Sequence, residues 1–336
     1  MVGVAVVGAG YWGPNLVRNI QATPQFRLTT LCDLNVERAQ QVLGQYSTVK
    51  VSASLDEVLA DPEVEAVAVA TPAATHLPVA LAAIEAGKHV LVEKPLASSY
   101  ADGLKLVEAA EQRGLTLMLD HTFVYTPVVQ HLRKLVRGGE LGELQYVDSV
   151  RINLGLVQPD IDVLWDLAPH DLSILDAILP DGVHPVAVAA HGSDPANLGR
   201  ACVAYLSVQL SNGAIAHAHV NWLSPTKIRT MIVGGSGKTA VWNDLDPTQP
   251  LAVYDRGVDW PTDEERRISY RIGDAVAPAL KGGEALRAVM AEFAAAIVEK
   301  RAPLTDGRAG LRVLAQLEAA SQSLAQGGTF VPVVNA

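Results

Sequence analysis

The beginning of the chain constrains it most. An apolar run, Val2-Gly-Val-Ala-Val-Val7, breaks into three glycines, Gly8-Ala-Gly10-Tyr11-Trp12-Gly13, spaced G-x-G-x-x-G. Such a run reads as a buried parallel strand. The glycines after it permit a tight turn, close approach of backbone to a pyrophosphate, and close contact of helix with sheet. The phosphates would rest on the N-terminus of the next helix, where unpaired N–H groups and the positive end of the helix dipole stabilise anionic oxygens. Taken alone, the spacing also describes a glycine-rich turn without a ligand, so the following segment decides. A second apolar stretch, Leu28-Thr-Thr-Leu-Cys32, ends in Asp33. A carboxylate at that point accepts the ribose hydroxyls of an adenosine and repels a 2′-phosphate, which predicts NAD as cofactor in preference to NADP. Arg38 is the side chain that would reach such a phosphate by folding back over the adenosine.

The strand and helix pattern then repeats. Helical stretches at Val36 to Leu43, Leu55 to Leu59, Leu77 to Ala86 and Tyr100 to Arg113 alternate with strand-like runs at Val49 to Val51, Val64 to Ala70, His89 to Glu93 and Leu115 to Leu119. Gly87 and Gly114 mark helix ends. This alternation predicts an N-terminal Rossmann domain over residues 1–120, a doubly wound parallel sheet with right-handed crossovers. Ligands of such sheets bind outside the carboxyl ends of the strands, so chemistry should collect in the loops Gly8 to Gly13, Asp33 to Asn35, Thr71 to His76, Glu93 to Leu96 and Asp120 to Tyr125.

From residue 121 the pattern changes. A helix near Val128 to Arg137 precedes strand-like runs at 143–154, 185–190, 202–210, 214–222, 229–233 and 238–242. Asn212-Gly213 between two of them is a two-residue hairpin signal. Two helices, 284–300 and 306–325, and a strand-like 329–334 close the chain. Residues 121–336 therefore read as an α+β domain on an open, mostly antiparallel sheet. Alternating stretches such as Ala216-His217-Ala218-His219-Val220 expect one covered face, which leaves the other for self-association into a dimer or tetramer.

Composition narrows the partners. A formal net charge of −10 over 336 residues, with no basic block, argues against nucleic acid and anionic membranes. No apolar run approaches the ~18 residues of a membrane span, and no signal peptide opens the chain. Cys32 and Cys202 stand alone in apolar contexts, which fits a reducing cytosol and argues against structural zinc. Two motifs resemble sites without being complete. Gly234-Gly-Ser-Gly-Lys238-Thr239 lacks the leading glycine of a P-loop, because position 232 is isoleucine, and it reads as a hairpin turn. His217 and His219 share a strand face but have no third ligand nearby in sequence, so no metal is expected.

Two constellations carry candidate chemistry. Glu93-Lys94-Pro95 follows the fifth strand, where a lysine could hydrogen-bond a reacting hydroxyl or carbonyl oxygen and supply the positive charge that zinc provides elsewhere. Trp165-Asp166-Leu-Ala-Pro169-His170-Asp171 puts Asp166 and His170 four apart, neighbours on one helix face, with histidine suited to take a proton near neutral pH. Each has a plainer reading: a solvated lysine at a strand end, and an aspartate that caps a helix beside a half-buried histidine. Pro169 also favours a helix that begins near itself, with Asp166 on the incoming turn. Trp165 could stack on a sugar face. His121 and Tyr125 follow the sixth strand, and Arg151 and Asn153 share a face of the first antiparallel strand; these complete the candidate substrate contacts.

In order and separation, Gly8-Ala-Gly10-Tyr11-Trp12-Gly13, Thr71-Pro72 with His76, Glu93-Lys94-Pro95 and Asp166-x-x-x-His170 resemble the glucose-fructose oxidoreductase / inositol dehydrogenase / MocA family. The likeness runs along essentially the whole chain. It implies a two-domain NAD-dependent enzyme that oxidises or reduces a secondary alcohol of a sugar, cyclitol or sugar nucleotide, with Lys94, Asp166 and His170 in the catalytic site. Tyr11, Trp12, Thr71, Pro72, His76 and Glu93 join the glycines, Asp33, Arg38 and Lys94 on the cofactor side. The Trp-Asp-Leu-Ala-Pro-His-Asp wording is similar to members associated with polysaccharide or natural-product sugars, which makes a nucleotide-linked hexose the first expectation and a free sugar or inositol the second. A protein that keeps the dinucleotide fold as a sensor or scaffold is the competing class. One departure stands out: family members often carry glycine two residues before the histidine, and here the pair is Ala168-Pro169.

Overall fold

The structure is a computed structural model that describes residues 1–158, 161–259 and 268–334. The chain divides into two compact units: Met1–Thr126 with Gly283–Leu314, and Pro127–Gly282 with the described residues from Ala315 onward.

In the first unit strands and helices alternate: β1 (Val2–Val7), α1 (Gly13–Gln21), β2 (Phe26–Cys32), α2 (Val36–Leu43), β3 (Lys50–Ser52), α3 (Leu55–Ala60), β4 (Ala66–Val69), α4 (His76–Glu85), β5 (His89–Glu93), α5 (Tyr100–Arg113) and β6 (Leu117–Asp120). The six strands pair in parallel in the order β3-β2-β1-β4-β5-β6. The order reverses between β1 and β4, the switch point at which this architecture binds its ligand. Local chemistry sets the helix ends. Asn35, Ser54 and Ser99 accept hydrogen bonds from the backbones of Arg38, Glu57 and Asp102, and Gly114 ends α5 in the left-handed region.

The unit also takes a segment that the sequence reading assigned to the second domain. Helix α8 (Ala285–Glu299) buries Leu286, Val289, Met290, Phe293 and Ala294 against Val4, Leu16, Ile20, Phe26 and Met118. Phe293 meets Phe26 with ring centroids 5.9 Å apart. A helix apolar on this face folds where the complementary surface is, and sequence position 120 is therefore not a domain boundary for everything after it.

The second unit contains α6 (Pro127–Arg137), β7 (Leu144–Leu154), α7 (Val163–Ile178), β8 (Pro185–Ser193), β9 (Val203–Leu210), β10 (Ile215–Asn221), β11 (Leu223–Gly235), β12 (Thr239–Asn243), β13 (Leu251–Asp259), β14 (Ser269–Val276) and β15 (Val331–Pro332). Helix α9 (Gly307–Ala325) gives its first turns to the first unit and the rest to the second. The nine strands run in the order β14-β13-β12-β11-β7-β10-β9-β8-β15, antiparallel apart from β10 beside β7. Gly213 turns the β9–β10 hairpin at φ +86°, and the glycine-lysine segment is the β11–β12 turn, closed by Gly235 N–H to Lys238 O at 2.9 Å. Strands β13 and β14 had no clear sequence signal. They lie at the outer side of the sheet, and β14 is mostly exposed although it carries Tyr270 and Ile272, so burial does not impose an apolar period-2 pattern on it.

Helix α7 corrects the expectation for Pro169. It begins at Val163, with Asp162 as N-cap accepting from Trp165 N–H at 3.0 Å, and Pro169 lies inside it. An interior proline costs about 3 kcal/mol, and here the cap and the burial of Val163, Leu164, Ala168 and Leu172 offset that cost. Among the described residues no helix is long and apolar enough to cross a membrane.

Candidate active site

The loop from β1 to α1 is shaped by contacts that exclude side chains. Gly8 sits at φ +106°, and a Cβ there would lie 2.6 Å from Ala70 O; a Cβ on Gly13 would lie 2.2 Å from Gly8 O. Around Gly10 the space is open, with nothing within 4 Å of a Cβ position. Trp12 precedes α1 without a side-chain cap, and no acidic residue occupies the first turn, so the N–H groups and dipole of α1 face no competing anion from that turn. Asp33 closes the loop: Oδ2 accepts from Ala9 N–H at 2.6 Å and Oδ1 from Asn35 N–H at 2.8 Å. Each oxygen keeps a lone pair for a ribose hydroxyl. Arg38 lies over the same loop and donates from Nε to Ala9 O at 3.1 Å. These residues fit a dinucleotide.

The ends of β4, β5 and β6 form the second part. His76 is buried between two carbonyl oxygens, with Nδ1 2.7 Å from Pro95 O and Nε2 2.9 Å from Thr71 O, so one ring ties the loop after β4 to the loop after β5. Burial lowers the proton affinity of His76, the two carbonyls partly offset this, and Lys94 adds to the lowering. Thr71 keeps a buried hydroxyl with no partner among the described residues. His121 is 1 % exposed, and neither ring nitrogen has a hydrogen-bond partner among those residues. Burial, helped by Lys94, pushes it down to about 3, so the ring is neutral. Glu93 and Asp120 face each other across β5 and β6. Burial raises both carboxyls, Glu93 further because Asp120 is beside it.

In the second unit, α7 presents Asp166 and His170 one turn apart. Trp222, the largest of the fully buried side chains, donates its indole N–H to Asp166 Oδ2 at 2.9 Å and fixes that carboxylate. Asp171 turns inward to a buried pair with Arg151, which donates Nε at 2.9 Å and Nη2 at 3.0 Å, and Ser149 donates to the same carboxylate at 2.7 Å. This pair sets the rotation of α7 on β7, and with it the side from which His170 projects.

Three expected substrate contacts have other partners. Arg151 is committed to Asp171. Trp165 donates its indole N–H to Ser321 at 2.9 Å and so anchors α7 to α9 while remaining half-buried. The Tyr125 hydroxyl bonds Thr305 at 3.0 Å while its ring packs on the first unit's core. Asn153 is half-buried, its amide against Gly155. Tyr11 is exposed beside Trp12. His217 and His219 lie along Tyr205, the latter stacked at 4.3 Å. Asp120 and Trp222 were not singled out in the sequence, because each gains its role from a partner distant along the chain.

Fold and loop geometry together define an NAD-binding oxidoreductase. Residues 2–121 match the family described as "Oxidoreductase family, NAD-binding Rossmann fold", and residues 129–240 match the "GFO/IDH/MocA C-terminal domain". The chain belongs to the Gfo/Idh/MocA oxidoreductase family. It is 31 % identical over 319 residues to UDP-N-acetylglucosamine 3-dehydrogenase of Acidithiobacillus ferrooxidans, covering 92 % of this chain and 93 % of that protein. The solved structure of that enzyme superposes with a TM-score of 0.81 at 28 % identity, over 97 % of this chain and 99 % of the other. GenD2 from gentamicin A biosynthesis, solved in complex with NAD, gives 0.82 at 26 % identity, over 100 % and 97 %. Inositol 2-dehydrogenase of Rhodococcus jostii is 26 % identical over 258 residues, 72 % of this chain and 68 % of that protein.

Proposed function

We propose that this oxidoreductase interconverts a secondary alcohol and a ketone on a nucleotide-linked hexose, with NAD as its redox partner. The observation that carries the reading is the near end-to-end similarity to a UDP-sugar 3-dehydrogenase. A free-sugar or inositol dehydrogenase is the second reading, supported by the inositol 2-dehydrogenase relative. Bound NAD supplies an acceptor or donor of hydride at its nicotinamide ring. The glycine loop, the α1 N-terminus and Asp33 hold the pyrophosphate and adenosine ribose, with Tyr11, Trp12, Arg38, the Thr71–His76 loop and Glu93 around the rest. Lys94 donates a hydrogen bond to the reacting oxygen and stabilises the charge that develops on it. His170 takes the hydroxyl proton in oxidation and returns it in reduction. Asp166, oriented by Trp222, holds the substrate or the imidazole. His121, whose ring nitrogens have no hydrogen-bond partner among the described residues, contacts a polar group of the substrate, and Asn153 is a further candidate. Self-association uses the uncovered face of the second sheet, where Tyr205 and Ile215 are exposed.

A panel of UDP-linked hexoses, free sugars and inositols, assayed for NAD reduction, tests the substrate class. Turnover confined to the nucleotide-linked members is the expected result. Faster turnover of inositols or free sugars would replace it with the second reading. Light scattering on the purified protein tests self-association, for which a monomeric mass at micromolar concentration is the contrary result.

A further inference from the structure

His76 is 1 % exposed at the first position of α4, in the loop after β4, and its ring reaches across to the loop after β5. Strands β4 and β5 are parallel neighbours, so both loops leave the same edge of the sheet. Nδ1 lies 2.7 Å from Pro95 O and Nε2 2.9 Å from Thr71 O. Carbonyl oxygens only accept, so both contacts are hydrogen bonds only when both nitrogens carry protons. Burial disfavours that cation, Lys94 repels it, and the positive end of α4 lies at the same position. A neutral ring has one N–H to give. The Pro95 contact is the shorter and is buried, whereas the Thr71 contact is part-buried, and a carbonyl that water can reach loses less without a protein donor. The proton therefore belongs on Nδ1. A second tie between the loops, Ser98 Oγ to Ala73 O, is exposed and long at 3.5 Å.

We propose that His76 is a positioning residue for the oxidoreductase reaction: as a neutral ring protonated at Nδ1, it donates to Pro95 O and fixes the backbone that carries Lys94. This role rests on the reading of Lys94 as the donor to the reacting oxygen. A long, flexible lysine side chain serves a fixed oxygen only from a fixed backbone, and a misplacement of about 1 Å can cost roughly 10²-fold in rate. The Lys94–Pro95 peptide has no N–H, which leaves fewer backbone bonds to hold this turn and gives weight to the one that Pro95 O accepts. Nε2 then turns a lone pair toward Thr71 O. The ring spaces that loop without bonding it, so the two nitrogens have unequal roles.

Variants that keep one nitrogen each separate the two contacts. The amide nitrogen of asparagine falls where Nδ1 stands, and that of glutamine where Nε2 stands. His76→Phe, which keeps the bulk of the ring and neither nitrogen, should lower kcat by roughly tenfold or more while changing NAD affinity by less than about threefold. His76→Asn should recover most of that loss and His76→Gln little of it. A measurement without turnover tests the tautomer: in heteronuclear NMR spectra of the native protein at neutral pH, the His76 ring, assigned by its absence in His76→Asn, should show a protonated Nδ1 and an unprotonated Nε2. Should His76→Phe fail to fold, the contrast of His76→Asn with His76→Gln and the spectrum of the native protein still decide. If His76→Phe kept native turnover, if His76→Asn were no more active than His76→Gln, or if the proton lay on Nε2 or on both nitrogens, the proposal would be overturned. Full turnover in Lys94→Ala would instead remove the role given to Lys94, and the spectrum would still report where the His76 proton sits.

Discussion

At the scale of single residues the chemistry rests on a few side chains whose surroundings define what they can do. Removing a positioned general base typically costs about 10²- to 10⁴-fold, so His170→Ala should lower kcat by that order while leaving NAD affinity nearly unchanged. Rapid-quench rates and fluorescence titration of the cofactor check the two halves of that expectation. Retention of turnover within about threefold would move the base to Lys94 or to a water relayed from Asp166. Cofactor choice is also a residue-scale question. Asp33 places its carboxylate oxygens at the loop, 2.6 Å from Ala9 N–H, where a 2′-phosphate would be repelled. Arg38 also reaches the loop, donating from Nε to Ala9 O, while the residue as a whole is exposed. NAD should bind more tightly than NADP, and Asp33→Ser should narrow the gap by relieving the repulsion. Tighter binding of NADP by the native chain would contradict the assignment.

At the scale of elements, α7 is the segment on which most depends. Its interior proline removes one backbone donor, and its placement is secured by side chains: the Asp162 cap, the Trp165 bond to Ser321 and the buried Arg151–Asp171 pair. Breaking a buried ion pair by removing one partner costs about 3–5 kcal/mol, because the other charge is left uncompensated. Asp171→Asn should therefore lower stability by that order in chemical denaturation, and also reduce kcat because His170 adjoins it. A variant as stable as the native protein would show that the pair contributes little. At the start of α8, Glu284 accepts from Arg18 and Asn19 of α1, and the Arg18 guanidinium pulls its carboxyl down to about 2 from an ordinary value of 4.5. Because the folded value is the lower one, its stabilisation is complete above pH 4.5 and disappears as pH falls toward 2. Both partners are substantially exposed, so the effect amounts to about 1 kcal/mol or less. Melting curves of the native protein and Glu284→Gln should differ at neutral pH and converge in acid.

At the scale of the whole molecule the chain does not fold in the order in which it is written. The first unit needs α8, which arrives more than 150 residues after β6 ends. Phe293→Ala opens a hole opposite Phe26 and should cost about 3–5 kcal/mol, and a chain ended at residue 282 should lose the cooperative melting of its N-terminal unit. Unchanged melting in either would show that the unit is complete without α8. The N-terminal sheet was legible in the sequence because its signals are local: apolar runs, helix caps, glycines at helix ends and the fingerprint spacing all lie within a few residues of what they determine. The hairpin at Gly213 was legible for the same reason. Partnership was not. Nothing near Trp222 says that its indole N–H meets Asp166, nothing near Arg151 says that its guanidinium belongs to Asp171, and nothing in Glu93-Lys94-Pro95 says that a second carboxylate lies opposite. Likewise the edge strand β14 escaped notice because it is mostly exposed and buries too little to need a pattern. The sequence by itself determined the elements and the kinds of chemistry they carry. Only the tertiary structure decided which polar groups meet, because hydrogen bonds and charge compensation act across contacts that the order of residues does not contain.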